Sequence, residues 1–115
     1  MKHTEAMVDN RVFRRLYSKG RSAAARNVAV YWRTRPGHVS RLGITVGTKI
    51  GCAVRRNRVR RRLREIYRLC EEKTLPGFDI IVVARASAAE ATYAELERDV
   101  LFLLKKAGIL TESGK

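Results

Sequence analysis

Between Arg55 and Arg64 the chain reads RRNRVRRRLR, seven arginines in ten residues, with Val59 and Leu63 set among them at helical spacing. Guanidinium groups stay charged and fork onto phosphate oxygens in bidentate fashion. The chemistry on offer is therefore grip on a polyanion. The apolar positions continue through Ile66 and Cys70, in steps that mark one face of a helix. At about 100° per residue, Asn57, Arg61, Arg64 and Arg68 fall opposite that stripe. Arg58 and Arg60 lie on its flanks, while Arg55 and Arg62 fall near its edges, where their stems can run over a core.

A second kind of chemistry is carried by rings. Phe13, Tyr17 and Tyr31 are candidate stacking surfaces, with Arg14, Arg15, Arg26 and Arg33 close by in sequence. Stacking of a base on an aromatic ring contributes roughly 1–3 kcal/mol and tolerates any base. Phe13 and Tyr17 lie beside, not on, the Val12–Leu16 stripe of their segment. Tyr31 points to the opposite sheet face from Val30 and Trp32, and Trp32 is assigned to the core. The bland alternative makes all three ordinary core aromatics.

Catalytic groups do not assemble. His3 and His38 fall in an expected loose terminus and an expected turn, neither at zinc-ligand spacing from a cysteine. Asp9, Asp79 and Asp99 are spread over a helix cap, a strand edge and a helix, without the pairing that would hold two metal ions. Gly47 and Gly51 lack the Lys-Ser/Thr ending of a phosphate loop. No cofactor is expected on the protein itself.

The 115 residues suffice for one domain, and a hydrophobic content of 45% supports a real core. The formal net charge of +14 exceeds what solubility needs. Cys52 and Cys70 cannot make a disulfide framework, and both read as reduced and structural. No segment approaches the roughly 20 apolar residues of a membrane span, and MKHTEAMVDNR lacks the apolar run of a signal peptide. A cytoplasmic location and no membrane partner are expected.

The elements that must position these groups follow from local pattern. Asp9 or Asn10 caps a helix that Gly20 stops. Val28 to Arg33 and Leu42 to Val46 read as strands around the turn chemistry of Arg35-Pro36-Gly37, and so as a hairpin. Gly47 to Gly51 is a connector with room for one very short strand. The arginine helix runs from about Ala53 to Glu71. Phe78 to Ala84 is nearly continuous apolar sequence, the mark of a strand covered on both faces. Tyr93, Leu96, Val100, Leu103, Leu104 and Ala107 define a last helix that ends at Gly108; Phe102 is off its stripe. The order is α-β-β-(β)-α-β-α: a small α+β sandwich with a mixed sheet of about four strands and a strand–helix–strand crossover. Residues 1–8 and 111–115 are expected to fray.

These residues also carry a family resemblance. Gly43-Ile44-Thr45-Val46 through Lys49-Ile50-Gly51, then Ala53-Val54-x-Arg56-Asn57-Arg58-x-x-Arg61-x-x-Arg64-Glu65, resembles the signature of the bacterial ribonuclease P protein component. Phe13-x-x-x-Tyr17-x-x-Gly20-Arg21-Ser22 is similar to the family's opening helix and turn, and Asp79 to Arg85 to its late strand. The resemblance covers roughly Val8 to Lys106. It implies a two-part particle that removes the 5′ leader from precursor tRNA, in which a catalytic RNA holds Mg²⁺ and performs the hydrolysis. It also implies a left-handed crossover and no obligate protein partner. By this carry-over Arg56, Asn57, Arg58, Arg60, Arg61 and Arg64 dock on the catalytic RNA. Phe13, Tyr17 and Tyr31 line a leader-binding cleft, with Lys49 and Arg85 as basic neighbours. The chain departs from the pattern at Thr48, Cys52 and Ala86, and Tyr17 adds a hydroxyl to the usual ring. The rival expectation is a ribosome-associated or general RNA-chaperone protein; a duplex-DNA binder and a protein-only nuclease rank below it.

Overall fold

In the computed structural model, which describes residues 1–111, eight elements follow one another along the chain: β1 (Thr4–Ala6), α1 (Asn10–Lys19), β2 (Arg21–Ala24), β3 (Val28–Thr34), β4 (Ser40–Val46), α2 (Ala53–Cys70), β5 (Phe78–Ala84) and α3 (Tyr93–Lys106). Short 3-10 turns occupy Thr48–Ile50, Glu71–Lys73 and Ala86–Ala89. The strands form one mixed sheet in the order β1-β4-β5-β3-β2. This is the expected α+β sandwich, with five strands in place of about four.

The helices form where the sequence places them. The Asp9 carboxylate accepts from the Arg11 backbone N–H at the start of α1, and the Gly20 N–H closes its end on the Leu16 carbonyl. α3 opens on a capping box in which Thr92 and Glu95 satisfy each other's backbone N–H groups. Val59, Leu63, Ile66 and Cys70 are buried as the stripe predicts, and Tyr67 joins them.

The apolar sequence of β5 is explained by its central place. It pairs in parallel with β4 and antiparallel with β3, and both of its faces are covered. Ile80 and Val82 face the main core, which α2 and α3 close together with Val30 and Trp32. Ile81 and Val83 face the other way, toward Val12 and Leu16 of α1.

Four local expectations are corrected. β3 and β4 do not form a hairpin, because β5 lies between them; Asp79 of β5 takes a bidentate contact from Arg41 of β4, at 2.7 and 2.9 Å. The Gly47–Gly51 connector holds a 3-10 turn rather than a strand. β2 forms from Arg21–Ala24, which has no strand pattern of its own. The N-terminus does not fray: β1 pairs in parallel with β4 and Met7 is buried. Thr111 is also tied down, its N–H and hydroxyl both donating to the Lys73 carbonyl at 2.9 Å; residues 112–115 lie outside the described residues.

What anchors the N-terminal arm is Glu71, only 2% exposed. Its carboxylate accepts from the backbone N–H groups of Lys2 and His3 and from the Thr4 hydroxyl, at 2.8–3.0 Å. His3, expected to be loose, instead reaches Thr74 and Glu71 through its ring Nε2. Burial opposes ionisation of Glu71, but the His3 and Lys2 N–H groups and the Thr4 hydroxyl outweigh it and hold the carboxyl below its ordinary value of 4.5. A depressed carboxyl stabilises the fold above its unfolded pKa, and that contribution is lost as pH falls through the folded pKa. Amide protection of β1 should therefore begin to weaken as pH falls below the ordinary carboxyl value of 4.5 and be lost further down, once Glu71 protonates in the fold, while the central strands stay protected. Glu71→Ala should cost about 2–4 kcal/mol at neutral pH and lower the melting temperature by roughly 8–15 °C. An unchanged melt would show that the arm carries no such weight.

Candidate nucleic-acid interface

On the α1 face of the sheet, three rings meet. Phe13 and Tyr17, one helical turn apart, project toward strand positions Gly43 and Thr45; Tyr31 rises from β3 beside Ile81. Tyr17 and Tyr31 contact edge to face, with centroids 4.9 Å apart and planes at 76°. The Tyr17 hydroxyl shares a 2.9 Å hydrogen bond with Thr45 Oγ1. Tyr17 is 42% exposed, and Phe13 and Tyr31 are half-buried. The rings are thus packed on one side and open on the other, not sealed in the interior.

Gly43 makes this arrangement possible. A Cβ there would lie 2.6 Å from the Phe13 ring, far inside van der Waals contact. Gly43→Ala should push the Phe13 ring off the sheet and destabilise the protein by about 1–3 kcal/mol. A crystal structure of the variant with the ring unmoved would contradict this account.

Beyond Thr45 the same face opens into a groove of about 520 Å³ lined by Lys49, Arg85 and Val83 among others. The structure therefore brings Lys49 and Arg85 together at one end of the ring cluster. Lys49 is exposed; Arg85 is tethered by a 3.3 Å hydrogen bond from Nη1 to the Ala25 carbonyl.

The arginine helix lies across the opposite sheet face. Gly51, at φ 132°, takes a backbone conformation that side chains disfavour and lets the chain turn into α2. Asn57, Arg58, Arg61, Arg64 and Arg68 are exposed and Arg60 is half-buried. Asn57 Oδ1 accepts from Arg60 Nη1 at 2.9 Å and so fixes that guanidinium. Arg62 snorkels as expected and donates to the Ala91 carbonyl at 3.3 Å, while Arg55 stays exposed. Arg56 is half-buried, with its Nε enclosed and unpaired. Arg68 differs from its neighbours: Glu65 engages it at 2.6 and 3.0 Å, so its charge is already partly answered. The hydrogen bonds from Arg68 hold the Glu65 carboxyl below the usual range.

The two cysteines separate. Cys70 is buried and its thiol is pushed up to about 11 by burial. Cys52, expected to be structural, is exposed at the start of α2, where the backbone N–H groups of Arg55 and Val54 hold its thiol below the usual range.

The carboxylates have structural employment. Asp9 caps α1, Asp79 holds Arg41, Asp99 accepts from the Asn27 N–H, and Glu71 anchors the arm. Among the described residues no three His, Cys, Asp or Glu side chains gather.

The fold and these two surfaces define a class of protein: a small, strongly basic α+β domain with a ring-lined cleft on one sheet face and an arginine-studded helix on the other. The model of the ribonuclease P family matches residues 1–108. The chain is 37% identical to the ribonuclease P protein component of Clostridioides difficile over 107 residues, 92% of this chain and 94% of that one. With that of Alkaliphilus oremlandii the identity is 39% over 113 residues, 98% of this chain and 99% of the relative. Among solved structures, the Staphylococcus aureus RNase P protein superposes with a TM-score of 0.84 at 34% identity, covering 92% of this chain and 97% of the other. The Thermotoga maritima protein gives 0.80 at 32%, over 89% and 96%. The chain belongs to the ribonuclease P protein family.

Proposed function

We propose that this protein is the RNA-binding subunit of a ribonuclease P particle, with α2 docked on the catalytic RNA and the cleft holding the 5′ leader of precursor tRNA. The observation that carries the reading is the placement of two unlike surfaces on opposite faces of one sheet. An arginine array suits the phosphates of structured RNA, since guanidinium forks match phosphate oxygens. A line of half-exposed rings with basic neighbours at one end suits a single strand, whose unstacked bases lie on aromatic faces regardless of sequence.

In this reading the protein breaks no bond. Asp9, Asp79, Asp99 and Glu71 are occupied by a cap, an ion pair, a backbone N–H and the N-terminal arm, and this reading leaves hydrolysis to the RNA and the Mg²⁺ ions it holds. The protein lengthens substrate recognition beyond the tRNA body and lowers phosphate repulsion where two RNAs meet.

Reconstitution tests this. Purified protein is added to bacterial catalytic RNA at low magnesium, with precursor tRNA as substrate. Leader removal should accelerate, and a structured RNA without a leader should gain nothing. Cleavage by the protein with no RNA added would overturn the division of labour.

A further inference from the structure

The pairing of β1 with β4 stops early. The Met7 N–H donates to the Leu42 carbonyl at 2.9 Å and the chain then leaves for α1. By the alternation of a strand, Ile44 directs its N–H and C=O to the same edge as Leu42, and among the described residues no strand covers it there. A free donor and acceptor at a sheet edge form a template for an incoming partner. Here they open into a cavity of about 410 Å³, within the roughly 300–1,000 Å³ range of small-molecule sites.

The walls of this cavity are of three kinds. Met7, Phe13 and the Ile44 side chain supply apolar surface; Arg60 and Arg64 of α2 supply positive charge at one rim; Glu5 of β1 supplies a carboxylate. Arg60 is held in place by Asn57. Phe13 borders both this cavity and the ring cluster, so it forms a partition between the cleft and the arginine helix.

We infer that this cavity is a second nucleotide site, which takes one unpaired ribonucleotide of the leader, its base at the open edge of β4 against Phe13 and its phosphate toward Arg60 on the α2 side of the sheet. The inference rests on the proposed function, since a strand lying over Tyr31 and Tyr17 arrives next at Phe13. A base is read there by main-chain groups: a ring nitrogen accepts from the Ile44 N–H while an adjacent amine donates to the Ile44 carbonyl. On the Watson–Crick edge adenine and cytosine present that pair, whereas guanine and uracil offer a ring N–H and a carbonyl there. Glu5 adds a second acceptor for an amine and repels the carbonyl edge of uracil, and it keeps the phosphate on the arginine side. Unlike the rings of the cleft, this site selects among bases.

Two measurements test it. Amide NMR of the wild-type protein is followed during titration with each of the four ribonucleoside 5′-monophosphates and with inorganic phosphate. The Ile44 amide should shift with AMP or CMP, less with UMP or GMP, and not with inorganic phosphate; an Ile44 amide indifferent to all four nucleotides overturns the site. In the second, Ala6, which lines the cavity, is replaced by a bulky ring (Ala6→Trp), and the reconstituted particle is assayed on precursors with single abasic positions along the leader. The wild type should lose about tenfold in kcat/KM at one position. The variant should carry that loss on the intact leader and lose nothing more at the same position. If Ala6→Trp instead weakens binding of the catalytic RNA with no precursor present, the occupant comes from that RNA and the leader assignment falls. Failure of the underlying reading shows differently: the wild-type particle would then not distinguish precursor from mature tRNA at all.

Discussion

Replacement of Arg61 and Arg64 together by alanine is expected to weaken assembly with the catalytic RNA by roughly 50- to 100-fold at 0.1 M salt. Each neutralised phosphate releases about 0.9 of a counterion from a duplex, so each contact contributes close to tenfold at 0.1 M relative to 1 M salt. The same argument fixes a second observable. The slope of log affinity against log salt should flatten by about 2 in the double variant, and the difference from wild type should vanish near 1 M. Both side chains are exposed on the outer side of α2 and among the described residues neither has an acidic partner, so their removal leaves no buried charge behind. Arg68→Ala should have a smaller effect than Arg61→Ala, because Glu65 already engages that guanidinium. Equal effects of the two single variants, or a salt slope unchanged in the double variant, would count against docking through this face.

The second large effect lies on the opposite face. Tyr31→Ala should reduce the preference for precursor over mature tRNA by about 5- to 150-fold, the equivalent of one lost stacking platform at roughly 1–3 kcal/mol. It also removes the ring against which Tyr17 packs edge to face at 4.9 Å, which places the expected loss toward the upper part of that range. Affinity for the catalytic RNA alone should stay within about twofold, since sites without shared partners behave independently. Tyr17→Phe separates stacking from hydrogen bonding: it keeps the ring and removes only the bond to Thr45, and should retain most of the preference. Competition binding with the two tRNA forms checks both preferences, and direct binding of the catalytic RNA without tRNA checks the affinity. A Tyr31→Ala protein that still favours the precursor as strongly as wild type would place the leader elsewhere.

How much of this could be read from the chain depended on how local the signal was. α1, α2 and α3 are written in spacing: Asp9 and Thr92 as caps, and the Val59–Leu63–Ile66–Cys70 stripe as a buried face, because helical hydrogen bonds join residues four apart. The division of arginines follows from the same periodicity, and the outward turn of Tyr31 from Val30 and Trp32 follows from the two-residue alternation of a strand. Strand order is not local. Arg35-Pro36-Gly37 has the chemistry of a tight turn, yet β3 and β4 part to admit β5, whose apolar run needs neighbours on both edges and cover on both faces. β2 is too short and too rich in small residues to show alternation, and it forms because β3 offers it an edge. The N-terminal arm was hidden for a related reason: its holding group, Glu71, lies 67–69 residues away in sequence, and a single glutamate at a helix end carries no sign of burial. The resemblance supplied Lys49 and Arg85, which neither composition nor periodicity singles out; only the groove beside Val83 shows why they belong together.

The central place of β5 constrains how the polypeptide is made. Strands β3 and β4 emerge from a translating ribosome with no partner between them, and they must wait for about 30 further residues, including a heavily cationic stretch beside an anionic ribosomal RNA surface, before the sheet closes. Such a chain spends its synthesis as an exposed polycation with unpaired strands, a state prone to sticking to the wrong RNA or to itself. Nascent chains stalled before residue 78 should be fully sensitive to protease, and resistance should appear abruptly once β5 and α3 have cleared the exit tunnel.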